Sequence, residues 1–463
     1  MHLNMVRPVK MMTLEIKKLF LMVFGVTAIC LLLPKAVFAV TYAYVPNYEA
    51  NTVSVIRTSD NYLLETIPVG NGPFGAAFSP YGEYVYVTNR KDGTISVIST
   101  SENEVTDTVK VGNDPMGIAV GVGGAYIFAA NRFDNTVSIV TASGDEDNNV
   151  LTTIPVGEQP YGIATDPDGE YVYVTNYGDG TVTVFSFTED PVSIEVGQGP
   201  LGIATDKAGE YVYVANSLDN TLTVINVEGE NRDTDDNDEN LDDNQVVKTI
   251  SVGMGPWGVS VLNNLDLVYV TNNSGNTVTV IDALEMAVSA TISVGSSPMG
   301  IATPLNGNFA YVVNNGDNSI SVIDGADNRV STFDAGDGNS PMSLGNFIGG
   351  PAPETPLSLY AEDIDDDDVE LAWIDYSFNE LGFVLERREY DSDEENEYEA
   401  IAILGSNVTT YTDAGLNSSK TYQYRLKAYN EAADSEYTSV YSVTTGSDAG
   451  SSMGCFIRSA SFF

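Results

Sequence analysis

Histidine is all but missing from this chain: the single copy, His2, lies ahead of an apolar leader. A chain that loses that leader has no imidazole for a Ser–His pair, a His-ligated zinc or a proton shuttle near neutral pH. Cysteine is nearly as scarce. Cys30 belongs to the leader and Cys455 to the extreme C-terminus, so no intrachain disulfide is expected and packing alone must hold the fold. Only 20 Lys and Arg stand against 65 Asp and Glu, a net charge of −45. That surface disfavours nucleic acid and anionic lipid, which need basic residues to displace counterions. It suits solubility in a salty or cation-rich exterior, with specific cation binding as the sharper alternative. Tryptophan occurs only as Trp257 and Trp373, too few for the docking motifs a quinone cofactor needs.

Residues 1–39 read as a signal peptide. Arg7, Lys10, Lys17 and Lys18 form a basic start, residues 19–33 are an uncharged apolar run, and Val37 and Ala39 offer a cleavage site. The run is shorter than the roughly 20 residues that span a bilayer. Ile29 is too bulky for a lipoprotein signal at Cys30. Cleavage near Ala39 is expected, giving a secreted or cell-surface protein without a transmembrane segment. Its net charge becomes 15 − 64 = −49, since the leader takes five cations and one acid.

What fills the rest is a repeat. Seven related tetrapeptides occur: Tyr44-Val-Pro-Asn47, Tyr86-Val-Thr-Asn89, Phe128-Ala-Ala-Asn131, Tyr173-Val-Thr-Asn176, Tyr213-Val-Ala-Asn216, Tyr269-Val-Thr-Asn272 and Tyr311-Val-Val-Asn314. Their asparagines are 42, 42, 45, 40, 56 and 42 residues apart, a period that marks a repeat architecture. Within one period, residues 73–78 are apolar and 79–82 form a Pro/Gly turn. Residues 84–88 are β-branched and aromatic, 89–93 close a hairpin on Asp-Gly, 94–98 alternate, and 108–111 supply a fourth strand. Four antiparallel strands in about 42 residues make a propeller blade. The array begins with a second strand and ends with a lone first strand, 341–348, so one blade must be stitched from both ends. The fold class is therefore all-β, a seven-bladed β-propeller over residues 40–350.

These residues resemble the YVTN family of propeller repeats of exported and surface-layer proteins. That resemblance implies a seven-bladed, surface-associated propeller without a single activity.

Residues 351–356 carry three prolines and read as a linker. Residues 357–446 hold about seven short strands and suit an immunoglobulin-like sandwich. They resemble a fibronectin type III domain, with Trp373 as core tryptophan and Leu416 and Tyr422 in the tyrosine-corner arrangement. The expected role is a spacer; no Arg-Gly-Asp sequence is present. Residues 447–463 form a Gly/Ser-rich tail. There, Gly454-Cys455-Phe456-Ile457 resembles a C-terminal sorting box, although Arg458 departs from it. Cys455 is a candidate processing or attachment point for envelope tethering, beside the plainer reading of a tail with a stray thiol.

The acidic insertion at 228–243 contains Asp233, Asp235 and Asn237 at calcium-loop spacing. Asp238 stands where glycine is needed and Asn244 where the twelfth-position Glu belongs. A solvated loop is expected, with weak calcium binding as the alternative and no other cofactor.

The repeats diverge at two positions. The middle residue of Pro-x-Gly is Phe74, Met116, Tyr161, Leu201, Trp257, Met299 and Met342, with Ser343 replacing the last glycine. These large apolar residues read as a packing layer or as an apolar collar for a ligand. The residue after each repeat asparagine is Tyr48, Arg90, Arg132, Tyr177, Ser217, Asn273 and Asn315, expected on the same face. Two arginines flanked by tyrosines on an acidic protein suit stacking on sugars or holding a carboxylate. The expectation is an exported, non-catalytic binding, adhesion or scaffold protein, partnered by a cell-surface protein or polysaccharide. The alternatives are a secreted propeller enzyme (lactonase, lyase or glycosidase-like) and a structural surface-layer subunit.

Overall fold

The computed structural model describes residues 41–446, apart from 143–147, 168, 228–243, 337–339, 366, 376, 378–379, 391–396 and 407. The signal peptide, the calcium candidates Asp233, Asp235 and Asn237, and Cys455 lie outside the described residues.

Seven four-stranded antiparallel sheets form the propeller, as the repeat predicts. Blades 1 to 6 occupy residues 73–110, 115–155, 160–195, 200–251, 256–293 and 298–334. Blade 7 takes its three outer strands, Tyr42–Asn47, Thr52–Arg57 and Tyr62–Pro68, from the N-terminal side and its inner strand from residues 341–349. The second and third strands are almost wholly buried because β-branched and aromatic side chains fill both faces of each sheet. Tyr44, Tyr86, Tyr173, Tyr213 and Tyr269 are all at most 1% exposed. The fourth strands are half in solvent and carry the polar residues, which blunts the outer edges.

The closing strand is shorter than its sequence predicts. Instead of a strand over 341–348, a bridge pairs Asn47 with Pro341 and the ladder resumes only at Ile348–Gly349. Gly345 adopts φ +117, a conformation that bends the chain out of the ladder and that side chains rarely take.

The repeat residues divide their work. Each buried asparagine donates through Nδ2 to two hydroxyls of the third strand; Asn89 bonds Thr94 at 3.0 Å and Ser96 at 2.9 Å. The threonine before it does more than shape a hairpin. Thr88 Oγ1 accepts from Gly75 N at 2.8 Å and donates to Met116 O of the next blade at 2.7 Å. Thr175 and Thr271 repeat this link. In these three blades it anchors the bulge at Pro-x-Gly, where Pro73 pairs with Asn89 but Ala76 with Val87; the other copies have Pro46, Ala130, Ala215 and Val313 in the threonine's place.

The β-sandwich that follows stacks a three-stranded sheet (Leu357–Ile364, Asp368–Ile374, Thr410–Ala414) on a four-stranded one (Glu399–Gly405, Gly382–Glu389, Thr421–Tyr429, Tyr441–Thr444). Trp373 meets Phe383 edge-on at 5.8 Å in the shared core. Tyr422 Oη accepts from Asn417 N at 3.1 Å. The linker before the sandwich is tied down: Ala352 N donates to Tyr81 O at 3.1 Å, and Asn430 Nδ2 to Pro351 O at 3.0 Å. Asn306 of blade 6 bonds Asn430 O at 2.8 Å and Asp434 Oδ1 at 3.1 Å. The sandwich therefore docks on the propeller face that carries the turns between first and second strands.

Candidate functional site

The opposite face carries the residues where the repeats diverge. Six of the seven middle residues of Pro-x-Gly gather in one cluster at the channel. Phe74, Met116, Tyr161 and Leu201 pack there with Leu344, and Tyr48, Tyr177, Trp257 and Met342 cover them. Phe74 and Tyr161 meet edge-on at 6.3 Å, Tyr161 and Trp257 at 6.1 Å, and Tyr161 and Tyr177 tilted at 6.0 Å. Phe74 and Leu201 are 2% exposed and Met116 0%, so these three pack as a buried layer, or plug, across the channel. Met299 is buried as well.

Arg90 and Arg132 lie over this plug. The Arg90 guanidinium sits 5.0 Å from the Phe74 ring centre and 5.6 Å from that of Tyr48. Arg132 sits 5.6 Å from the Tyr161 ring. Tyr48, Arg90, Arg132, Tyr177, Phe74, Tyr161 and Trp257 thus form one contiguous patch.

Asp114, a residue the sequence reading passed over, joins the arginines. It accepts from Arg90 through both oxygens, at 2.8 and 3.1 Å, and from Arg132 at 3.4 Å. Gln159 takes a second Arg132 nitrogen at 3.3 Å. Two cations share one anion, which leaves a positive excess on a protein of charge −45. Arg90 and Arg132 remain 17% and 25% exposed, within reach of a ligand. Arg132 Nε and Trp257 Nε1 are buried without an acceptor among the described residues. Burial pushes the Tyr161 phenol above its ordinary range, and both arginines pull it back.

A signal for Asp114 was present. The residue before each Pro-x-Gly proline has positive φ, and three copies use Gly72, Gly199 and Gly255. The other four, Asp114, Gln159, Ser297 and Ser340, hold φ 51–62 without glycine's freedom, and of these Asp114 is the one with a charged side chain.

Chemically, the patch offers flat aromatic faces and planar cations to a ring-shaped ligand rich in acceptors.

The match of the family model described as "Lactonase, 7-bladed beta-propeller" covers residues 100–194, the stretch that holds Asp114, Arg132, Tyr161 and Tyr177. No curated protein matches the chain. Among solved structures, a putative 6-phosphogluconolactonase of Bacteroides fragilis superposes with a TM-score of 0.54 at 16% identity. The alignment covers 67% of this chain and 98% of that one. The periplasmic gluconolactonase PpgL of Pseudomonas aeruginosa gives 0.54 at 17% identity, over 66% and 97% of the chains. A streptogramin B lyase gives 0.50 at 15%, over 66% and 91%. At such identities the likeness is one of fold. No helix among the described residues is long and apolar enough to cross a membrane.

Proposed function

We propose that the protein is an exported recognition protein whose arginine-bearing channel mouth binds carboxylated saccharides of a cell surface. One observation carries this reading: Arg90 and Arg132 share Asp114 above an aromatic floor, while Arg132 Nε and Trp257 Nε1 lack acceptors. A sugar ring stacks on such a floor and its carboxylate takes the guanidinium donors. The sandwich acts as a fibronectin type III module that holds the propeller, and Cys455 near the tail is the attachment point. Intact-mass analysis of the secreted protein tests that last step; an unmodified chain ending at Phe463 would exclude it.

The main test is calorimetric binding of hexagalacturonate against neutral maltohexaose. Preference for the acidic oligosaccharide, lost in Arg132→Ala, supports the reading. Equal binding of both sugars, or none, rejects it.

A second reading, a secreted lactonase or lyase, is favoured by the family match over residues 100–194 and by the names of the structural neighbours. Hydrolysis of gluconolactone above the spontaneous rate, abolished by Arg90→Ala, would favour it over the first.

A further inference from the structure

The other end of the channel is built differently. Below the plug lies a cavity of about 930 Å³ enclosed by the first strands of the blades. Leu344 belongs both to the plug and to the cavity wall, so the plug borders the chamber at its arginine end. Its wall mixes small and branched apolar residues, such as Ala164, Ile203, Val259 and Ile301, with hydroxyl residues of the same strands.

The hydroxyls in that wall are mostly spent on the scaffold. Thr303 Oγ1 bonds Val261 O at 2.8 Å, and Thr205 Oγ1 bonds Thr165 O at 3.0 Å. Ser343 is the exception. It stands where six copies have glycine, is 1% exposed, and its Oγ has no hydrogen-bond partner among the described residues.

Charge is confined to the rim. There the turns between first and second strands contribute Asp166, Asp206 and Lys207, and the sandwich contributes Lys427, Asp434 and Glu436. Lys427 is already paired with Asp434 at 2.8 Å. Carboxylates outnumber ammonium groups four to two at this rim, within a protein whose overall field is already negative.

We propose that this chamber, jointly walled by the propeller and the sandwich, binds a small cationic amphiphile, its apolar body in the channel and its ammonium group at the carboxylate rim. The volume is that of a small-molecule site, and such sites combine apolar wall with placed polar and charged groups. The sandwich then supplies part of a binding site. This site is distinct from the arginine mouth, and Arg132→Ala leaves it intact.

The test is calorimetry on the full mature chain with octylammonium and octanoate below their micellar concentrations. One saturable site for octylammonium is expected, with affinity about tenfold above that for octanoate. Ala164→Phe, which fills the chamber, removes binding while cooperative melting persists. Glu436→Gln, on the rim, weakens octylammonium about threefold to fivefold and serves where Ala164→Phe fails to fold. Absence of saturable binding would mean a water-filled channel only and overturns the proposal. So does octanoate binding as tightly as octylammonium, and so does unchanged affinity in a folded Ala164→Phe or in Glu436→Gln.

Discussion

The two ends of the channel grow from the same tripeptide and come out opposite. At the arginine end, the middle residue of each Pro-x-Gly is large and the ring closes on itself. At the sandwich end, the glycine and the small residues after it keep the ring open around 930 Å³. One residue of the repeat sets the seal, and its neighbour sets how closely the blades approach. A repeat protein can thus hold its scaffold constant and vary two ends independently, because the two positions point along different directions of one bulged strand.

The sharpest way to break this contrast is to enlarge the small position. Gly202→Ala places a methyl 2.3 Å from Trp257 O and 2.9 Å from Gly258 Cα. Both obstacles are backbone, so no side chain can give way. Urea denaturation is expected to show a loss of about 3 kcal/mol, the upper end for overpacking, because the obstacles are backbone. A loss below about 1 kcal/mol would mean that the blades part easily there.

Shrinking the large position comes next. Met116 is 0% exposed within the plug. Met116→Ala is expected to cost about 2 kcal/mol, at the low end for such a truncation, because neighbouring rings can lean into the gap.

Much of this was legible in the chain. The period, the seven blades and the stitched seventh blade follow from the tetrapeptides at Asn47 through Asn314, since each asparagine must sit at one hairpin for its Nδ2 to reach the third strand. The patch around Arg90 was legible because equivalent repeat positions share a face. Asp114 was missed because it lies in the linking loop, where its meaning depends on a positive φ and on two partners 24 and 18 residues away. The lower chamber was illegible for another reason. Its rim takes Lys427, Asp434 and Glu436 from a separate domain, and no periodicity predicts how two domains dock.

Asp114 offers a smaller lever on the comparison. Asp114→Asn keeps the shape but removes the anion between two guanidinia. About 1 kcal/mol of stability is expected to go, since the cluster is partly open to solvent. The freed cations should bind hexagalacturonate more tightly at low salt, with a steeper salt dependence. Unchanged salt dependence would show that the arginines do not meet the ligand.

The smallest expected effect concerns Tyr161, the ring under both arginines. Its ordinary pKa is 10.0; burial raises it, and Arg90 and Arg132 act against burial. A phenol whose folded value is raised contributes stability that is fully present below the unfolded value near 10 and is lost as pH rises through the folded value. The wild-type plug should therefore weaken only in the alkaline range, above the ordinary tyrosine titration. Replacing both arginines by alanine removes the opposing charges, so Tyr161 should titrate still higher. The difference in tyrosinate absorbance between each protein and its Tyr161→Phe counterpart reads that titration directly. A midpoint that falls when the arginines are removed would mean that they do not stabilise the phenolate, and that their place over the ring is packing rather than charge.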